Sequence, residues 1–228
     1  MGKEIEKVAI AMNHEIVLKI DELNLAQLTP QNLEKADVAI EFTTPKSAVE
    51  NILKCFEANV PVVAGTTGWL DRIDEVKKAC TEKNQAFFYA SNFSIGVNLF
   101  FRLNEYLAGL MKDYKEYFPF IEEIHHEHKK DAPSGTAIKL AEGLMKTHGG
   151  LTKWILDAEP KEGELSIAAI RLGEVPGTHT VYYTSEADEI TITHKAYNRK
   201  GFAEGAVHAA AWLIGKKGLF GMNDMLGK

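Results

Sequence analysis

Residues 38–68 read VAIEFTTPKSAVENILKCFEANVPVVAGTTG, and this stretch decides the fold. Val38 to Phe42 is a short apolar run, the pattern of a buried strand. Pro45 suits the first turn of a helix, where its missing N–H costs no bond. Ala48, Val49, Ile52, Leu53 and Phe56 then recur on one helical face. Val60 to Ala64 is a second apolar strand, and Gly65-Thr66-Thr67-Gly68 turns directly out of it. Apolar strands alternating with helices imply a parallel sheet covered on both faces.

The rhythm extends in both directions. Upstream, Ile5, Val8, Ala9 and Met12 mark one face of a helix over Lys3 to Met12, and Glu15 to Ile20 (EIVLKI) reads as a strand ending at Asp21. Downstream, a helix over Asp71 to Lys83 precedes a strand over Ala86 to Ala90 (AFFYA). The pattern is α/β: a Rossmann-like doubly wound parallel sheet, with its ligand at the carboxyl ends of the strands. Such a domain starts with a strand, then a glycine-rich turn, then a helix. This sequence starts at the helix, and Met1-Gly2 reads as the tail of that turn. The first strand, normally central, is missing, so the native chain is expected to begin upstream of Met1.

Beyond Ala90 the rhythm changes. Ser91-Asn92-Phe93-Ser94 leads into a long helix reaching about Lys112, and Phe120 to His126 is a strand. A helix over Thr136 to Lys146 follows, then strands over Leu165 to Arg171, Thr178 to Thr184 and Glu189 to Ala196. This is a smaller α+β domain with a mixed or antiparallel sheet. Gly201 to Lys216 is a small-residue helix that returns to the first domain. The expected domains are 1–92 with 200–228 for the dinucleotide, and 93–199 for substrate binding and oligomerisation.

Composition excludes several classes. The formal net charge of −6 over 228 residues opposes a nucleic-acid role, which needs a basic surface. No apolar run approaches a membrane span, and MGKEIEKV has no signal-peptide core. Cys55 and Cys80 lack metal or redox spacing and read as buried free thiols, which suits a cytoplasmic location.

Chemistry concentrates in residues 122–137, EEIHHEHKKDAPSGTA. Histidine titrates near neutrality, and the neighbouring Lys129 and Lys130 favour its neutral form. Lys129 can pair with a carboxylate or stabilise developing negative charge. Ser134-Gly135-Thr136 opens a helix, where free N–H groups seat an anion. A solvated loop with an ordinary serine cap is the simpler alternative. A metal site formed by His125, His126 and His128 is disfavoured, because on a strand His125 points away from the other two. In the first domain, Asp21 stands where an acidic side chain would bind the adenosine ribose, with Glu22 an alternative. Gly65, Thr66 and Thr67 would let a flat ring approach the backbone, although a plain turn explains them equally. Ala90, Ser91, Asn92 and Phe93 end the next strand, where a nicotinamide would lie.

IHHEHKKDAPSGTA, together with GTTGW, ASNFSIGVNLF and ITHKAYNRKGFAEGAVHAAAWL, resembles the dihydrodipicolinate reductase family, also named 4-hydroxy-tetrahydrodipicolinate reductase. The resemblance covers essentially the whole chain. It implies NADH- or NADPH-dependent reduction of a cyclic dicarboxylate in the diaminopimelate route to lysine, by a homotetramer. It assigns His125 and Lys129 to proton transfer, His126, Ser134, Gly135 and Thr136 to substrate, and Asp21, Gly65, Thr66, Thr67 and Ala90 to Phe93 to cofactor. Two departures are the shortened glycine turn and Thr44, where some members carry arginine. The alternatives are a homologue that binds substrate but no cofactor, and a metal-dependent enzyme using the histidines.

Overall fold

The computed structural model describes residues 1–227, in two compact units: Met1–Ile95 with the segment from Lys200 onward, and Gly96–Arg199. In the first unit, β1 (Ala39–Glu41), β2 (Val62–Ala64), β3 (Ala86–Tyr89) and β9 (Gly218–Phe220) form one parallel sheet in that order. Side chains alternate across it, as strand geometry requires. Val63 and Phe88 join Ile5, Val8 and Ala9 of α1 (Gly2–Ala11) and Ala203, Ala206, Ala209 and Ala210 of α7 (Lys200–Leu213). Val62, Ala64 and Phe87 join α3 (Pro45–Glu57) and α4 (Ile73–Glu82) on the opposite face. Two one-turn helices, α2 (Pro30–Leu33) and α8 (Met222–Met225), complete the unit.

Three helices end alike. Asn13, Asn59 and Asn84 take positive φ just past α1, α3 and α4. The next residue's N–H then bonds back across the last turn, His14 to Ala9, Val60 to Cys55 and Gln85 to Cys80. This is the Schellman ending, with asparagine tolerating the left-handed conformation that glycine usually fills.

One expected element is corrected. Glu15–Ile20 forms no strand, and β1 has no neighbour beyond β2 among the described residues. A strand exists only by pairing its backbone, and the sheet offers this segment no partner. The apolar run instead contributes packing, Ile16 to one core and Leu18 to the other. Strand β9 was not apparent in the sequence: three residues opening on Gly218 carry too little pattern to read.

In the second unit, the sheet order is β5 (Lys153–Leu156), β6 (Glu164–Arg171), β4 (Phe118–His125), β7 (Thr178–Thr184), β8 (Glu189–Lys195). The first two pairings are parallel and the last two antiparallel, so the sheet is mixed. Ile121, Leu165, Ile167, Val181 and Tyr183 face α5 (Ile95–Met111) and α6 (Gly135–His148) and are fully buried. Helix α6 starts at its Ser134 cap and stops at Gly149 in the left-handed conformation.

Candidate active site

Along the core-facing side of β4, residues change from Ile121 to Glu123 to His125 as the strand nears the start of α6. The sheet register supplies the rest. Glu123 lies opposite His179 on β7, and His125 lies opposite Arg171 on β6. Opposite residues share a face, so four polar side chains converge at one end of the sheet.

Glu123 is fully buried and central. Arg171 Nη2 donates to its Oε1 at 3.1 Å, and the Ser134 amide donates to both oxygens at 3.0 and 3.1 Å. His125 Nδ1 and His179 Nε2 lie 3.4 and 3.6 Å from Oε2. Burial alone would raise the Glu123 carboxyl, but hydrogen bonds from His179 and from Ser134, with the charge of His125, outweigh it and hold it at about 2.

His125 is pushed the other way. Burial first, then the nearby His179, lowers it to about 4 against the opposing pull of Glu123, with Lys129 and Arg171 adding to the decrease. The imidazole is therefore neutral near pH 7. The lysine effect expected from the sequence is present but secondary to burial. Gly177, at φ +152°, covers this ring: a Cβ there would lie 3.0 Å from His125 Nε2. Among the described residues, the buried His125 and His126 Nδ1 atoms have no hydrogen-bond partner.

Lys129 holds both oxygens of Asp131 at 2.6 Å, which lowers the Asp131 carboxyl. Arg171 fixes the backbone of the same loop, donating to the carbonyls of Lys129 at 3.3 Å and Asp131 at 2.6 Å. Ser134 Oγ accepts from the Ala137 amide at 3.2 Å and lies 3.1 Å from His179 Nε2.

One expectation is corrected here. The Ser134 N–H is not free for an anion, because Glu123 takes it. Gly135 and Thr136 remain: their first-turn amides have no intrahelical acceptor, and a Cβ on Gly135 would meet nothing within 4 Å. The seat is thus one residue shorter than the sequence suggested. His126 is half-buried, and its ring stands 6.2 Å from His128, which pairs at the surface with Glu174. The strand expected to carry both residues ends at His125, so His126 and His128 approach across a turn rather than sharing a strand face.

Glu123, Arg171 and His179 were not singled out in the sequence. Glu123 carried a usable signal, since it alternates with His125 on a strand. Arg171 and His179 carried none, because only sheet register brings them in. Glu123, His125 and His179 also present ligand atoms within 4.8 Å of one another. Arg171, Lys129 and the amino end of α6 surround that trio with positive potential, which does not suit a cation.

In the first unit, Gly65 lies close against Phe42: a Cβ would fall 2.2 Å from its ring. Thr66 is buried, and its hydroxyl donates to Glu41 at 2.9 Å and accepts from the Thr43 amide at 2.7 Å. Thr43 Oγ1 also donates to Glu41. The Thr66 hydroxyl therefore braces the turn, while Thr67 and Ser91 are exposed. Phe93 and Ala90 are buried, and Asn92 Oδ1 accepts from the Ser94 amide. Asp21 lies in an exposed turn where its Oδ1 accepts from Leu23 N–H. Among the described residues no helix is long and apolar enough to cross a membrane.

The family model described as dihydrodipicolinate reductase, N-terminus, matches residues 1–93, and dihydrodipicolinate reductase, C-terminus, matches residues 96–226. A protein of Christiangramia forsetii named 4-hydroxy-tetrahydrodipicolinate reductase is 49% identical over 226 residues, covering 99% of this chain and 93% of the relative. A dipicolinate-bound dihydrodipicolinate reductase from Paenisporosarcina sp. TG-14 superposes with a TM-score of 0.76 at 25% identity, covering 98% of this chain and 94% of that one. An amine dehydrogenase from Mycobacterium smegmatis shares the fold, with a TM-score of 0.55 at 9% identity, over 95% of this chain and 90% of that one.

Proposed function

The chain belongs to the dihydrodipicolinate reductase family, and we propose that its second unit seats a ring dicarboxylate at the start of α6 and delivers a proton from the His125/Lys129 side. The protein is an oxidoreductase that reduces 4-hydroxy-tetrahydrodipicolinate with a pyridine nucleotide, in the diaminopimelate route to lysine. One observation carries the site assignment: the open amides of Gly135 and Thr136 adjoin a buried cluster containing a neutral imidazole.

One carboxylate of the substrate sits on the Gly135 and Thr136 amides, and the ring lies against His125 and His126. Lys129 holds the transferable proton at Nζ, because an imidazole with a pKa of about 4 is rarely protonated near pH 7. Neutral His125 hydrogen-bonds the substrate and relays. A dianion arriving beside it adds negative charge and raises its pKa, so substrate binding takes up protons. Asp131 orients the Lys129 ammonium.

The first unit fits a dinucleotide. The first amides of α1 would hold the pyrophosphate at the amino end of the helix. Asp21 would hold the ribose, and Gly65, the Thr66 backbone, Thr67 and Ala90 to Phe93 the nicotinamide end, the Thr66 hydroxyl being taken by Glu41 and Thr43. Bound there, the cofactor supplies the hydride. Asp21 with no following arginine favours NADH, or equal use of NADPH. A homotetramer in the cytoplasm completes the reading.

The test is steady-state kinetics with Lys129→Ala. Turnover should fall by roughly 10²–10⁴-fold, the usual worth of a general acid, while NADH affinity stays within about twofold. Unchanged turnover would refute the assignment.

A further inference from the structure

Resting on that site assignment, we infer that Glu123 is a positioning residue: with Arg171 it locks the Lys129 loop and the carboxylate seat into one rigid piece. Glu123 is fully buried on β4 and receives Ser134 N–H at the cap of α6. It also receives Arg171 Nη2 from β6, which in turn donates to the carbonyls of Lys129 and Asp131. Across β7 it faces His179 Nε2, and along its own strand His125 Nδ1. A single carboxylate thus connects three strands, one helix cap and the loop between them.

The proton positions follow. A ring nitrogen facing a carboxylate carries its hydrogen, since two lone pairs would repel. His179 is therefore protonated at Nε2, towards Glu123 and Ser134 Oγ. Ser134 Oγ accepts from Ala137 N–H, and with Nε2 protonated it accepts from His179 as well, so its own hydrogen points away from both. That hydroxyl becomes a third donor to the carboxylate on Gly135 and Thr136. It replaces the Ser134 amide that Glu123 has taken. Ser134 contributes to substrate binding through its side chain, and only because the Glu123–His179 pair fixes the direction of its hydrogen.

A well-satisfied buried carboxylate could also be purely structural, so the test reads position as well as activity. Glu123→Gln keeps the volume and removes the charge. Hydrogen exchange on the substrate-free protein should accelerate across residues 129–136 while the body of α6 and β7 is unchanged. Affinity for pyridine-2,6-dicarboxylate should fall by about tenfold or more, the scale of a lost charged hydrogen bond, while NADH affinity moves less than about twofold.

The His125 titration adds a sign test. The groups facing it are Glu123, His179, Lys129 and Arg171. Removing the carboxylate that favours its charged form should move its NMR-measured pKa further down. Mere loosening would admit water and move it up, which would overturn the inference, as would unchanged exchange at Ser134. Equal weakening of both ligands would do the same. Arg171→Lys keeps charge but loses the fork, and carries the same readouts if Glu123→Gln does not fold. Exchange is measured without ligand. A wild-type chain that binds no dicarboxylate therefore defeats the site assignment, while the exchange result still decides the role of Glu123.

Discussion

Gly177 limits where the His125 ring can sit. A methyl at that position would stand 3.0 Å from Nε2 and 3.3 Å from Cδ2, on a backbone at φ +152° that side chains avoid. Gly177→Ala should cost roughly 1–3 kcal/mol of stability and reduce turnover more than dicarboxylate affinity, checked by urea unfolding and steady-state kinetics. The buried ionisations also set the pH response. His125, held near 4 in the fold against an ordinary 6.5, binds its proton more readily when unfolded. Its contribution is complete above about pH 6.5 and is lost as pH falls towards 4, at up to about 1.4 kcal/mol per pH unit. His194, lowered first by burial, adds in the same direction. Glu123, held at about 2 against 4.5, contributes above 4.5 and loses that contribution down to about pH 2. Unfolding midpoints should therefore decline steadily from pH 7 to 2. His125→Gln should flatten the upper part of that decline, and a midpoint that rises on acidification would contradict both assignments.

Helix α7 carries alanines and Gly205 where larger side chains would hold it off the sheet. A Cβ on Gly205 would fall 1.8 Å from the Phe93 carbonyl oxygen, which is backbone and cannot swing aside. Gly205→Ala should cost roughly 3 kcal/mol or more and weaken NADH binding through the displaced Asn92-Phe93 segment, seen in denaturant unfolding and fluorescence titration. Long periodic segments of this kind were legible in the sequence: α3, α5, α7 and the β7–β8 hairpin stand within a few residues of their expected places. Glu15–Ile20 misled because strand character belongs to a pair of segments, and β9 was hidden because three residues have no period. The site divided in the same way. His125, Lys129, Gly135 and Thr136 fall within one short stretch of sequence and were visible. Arg171 and His179 arrive through register, which depends on neighbours tens of residues away. The Thr66 hydroxyl offered a ligand on paper, but Glu41 and Thr43 occupy it.

The two units differ in how the chain builds them. Gly96–Arg199 is continuous and has its own buried core of Ile121, Leu140, Leu165 and Tyr183. The other unit needs Met1–Ile95 and the segment from Lys200 together, because α7 and β9 supply part of its core and an edge strand. Expressed alone, residues 96–199 should unfold cooperatively, whereas residues 1–95 should show no cooperative transition by circular dichroism. During synthesis, then, the half that emerges first is the half that finishes last. At elongation speeds of roughly 5–20 residues per second its strands stay without α7 for on the order of ten seconds, with Val63 and Phe88 uncovered on the nascent chain. Ribosome-associated chaperones would meet this protein through its cofactor half, and a pause in translation anywhere between residues 96 and 213 would prolong that exposure.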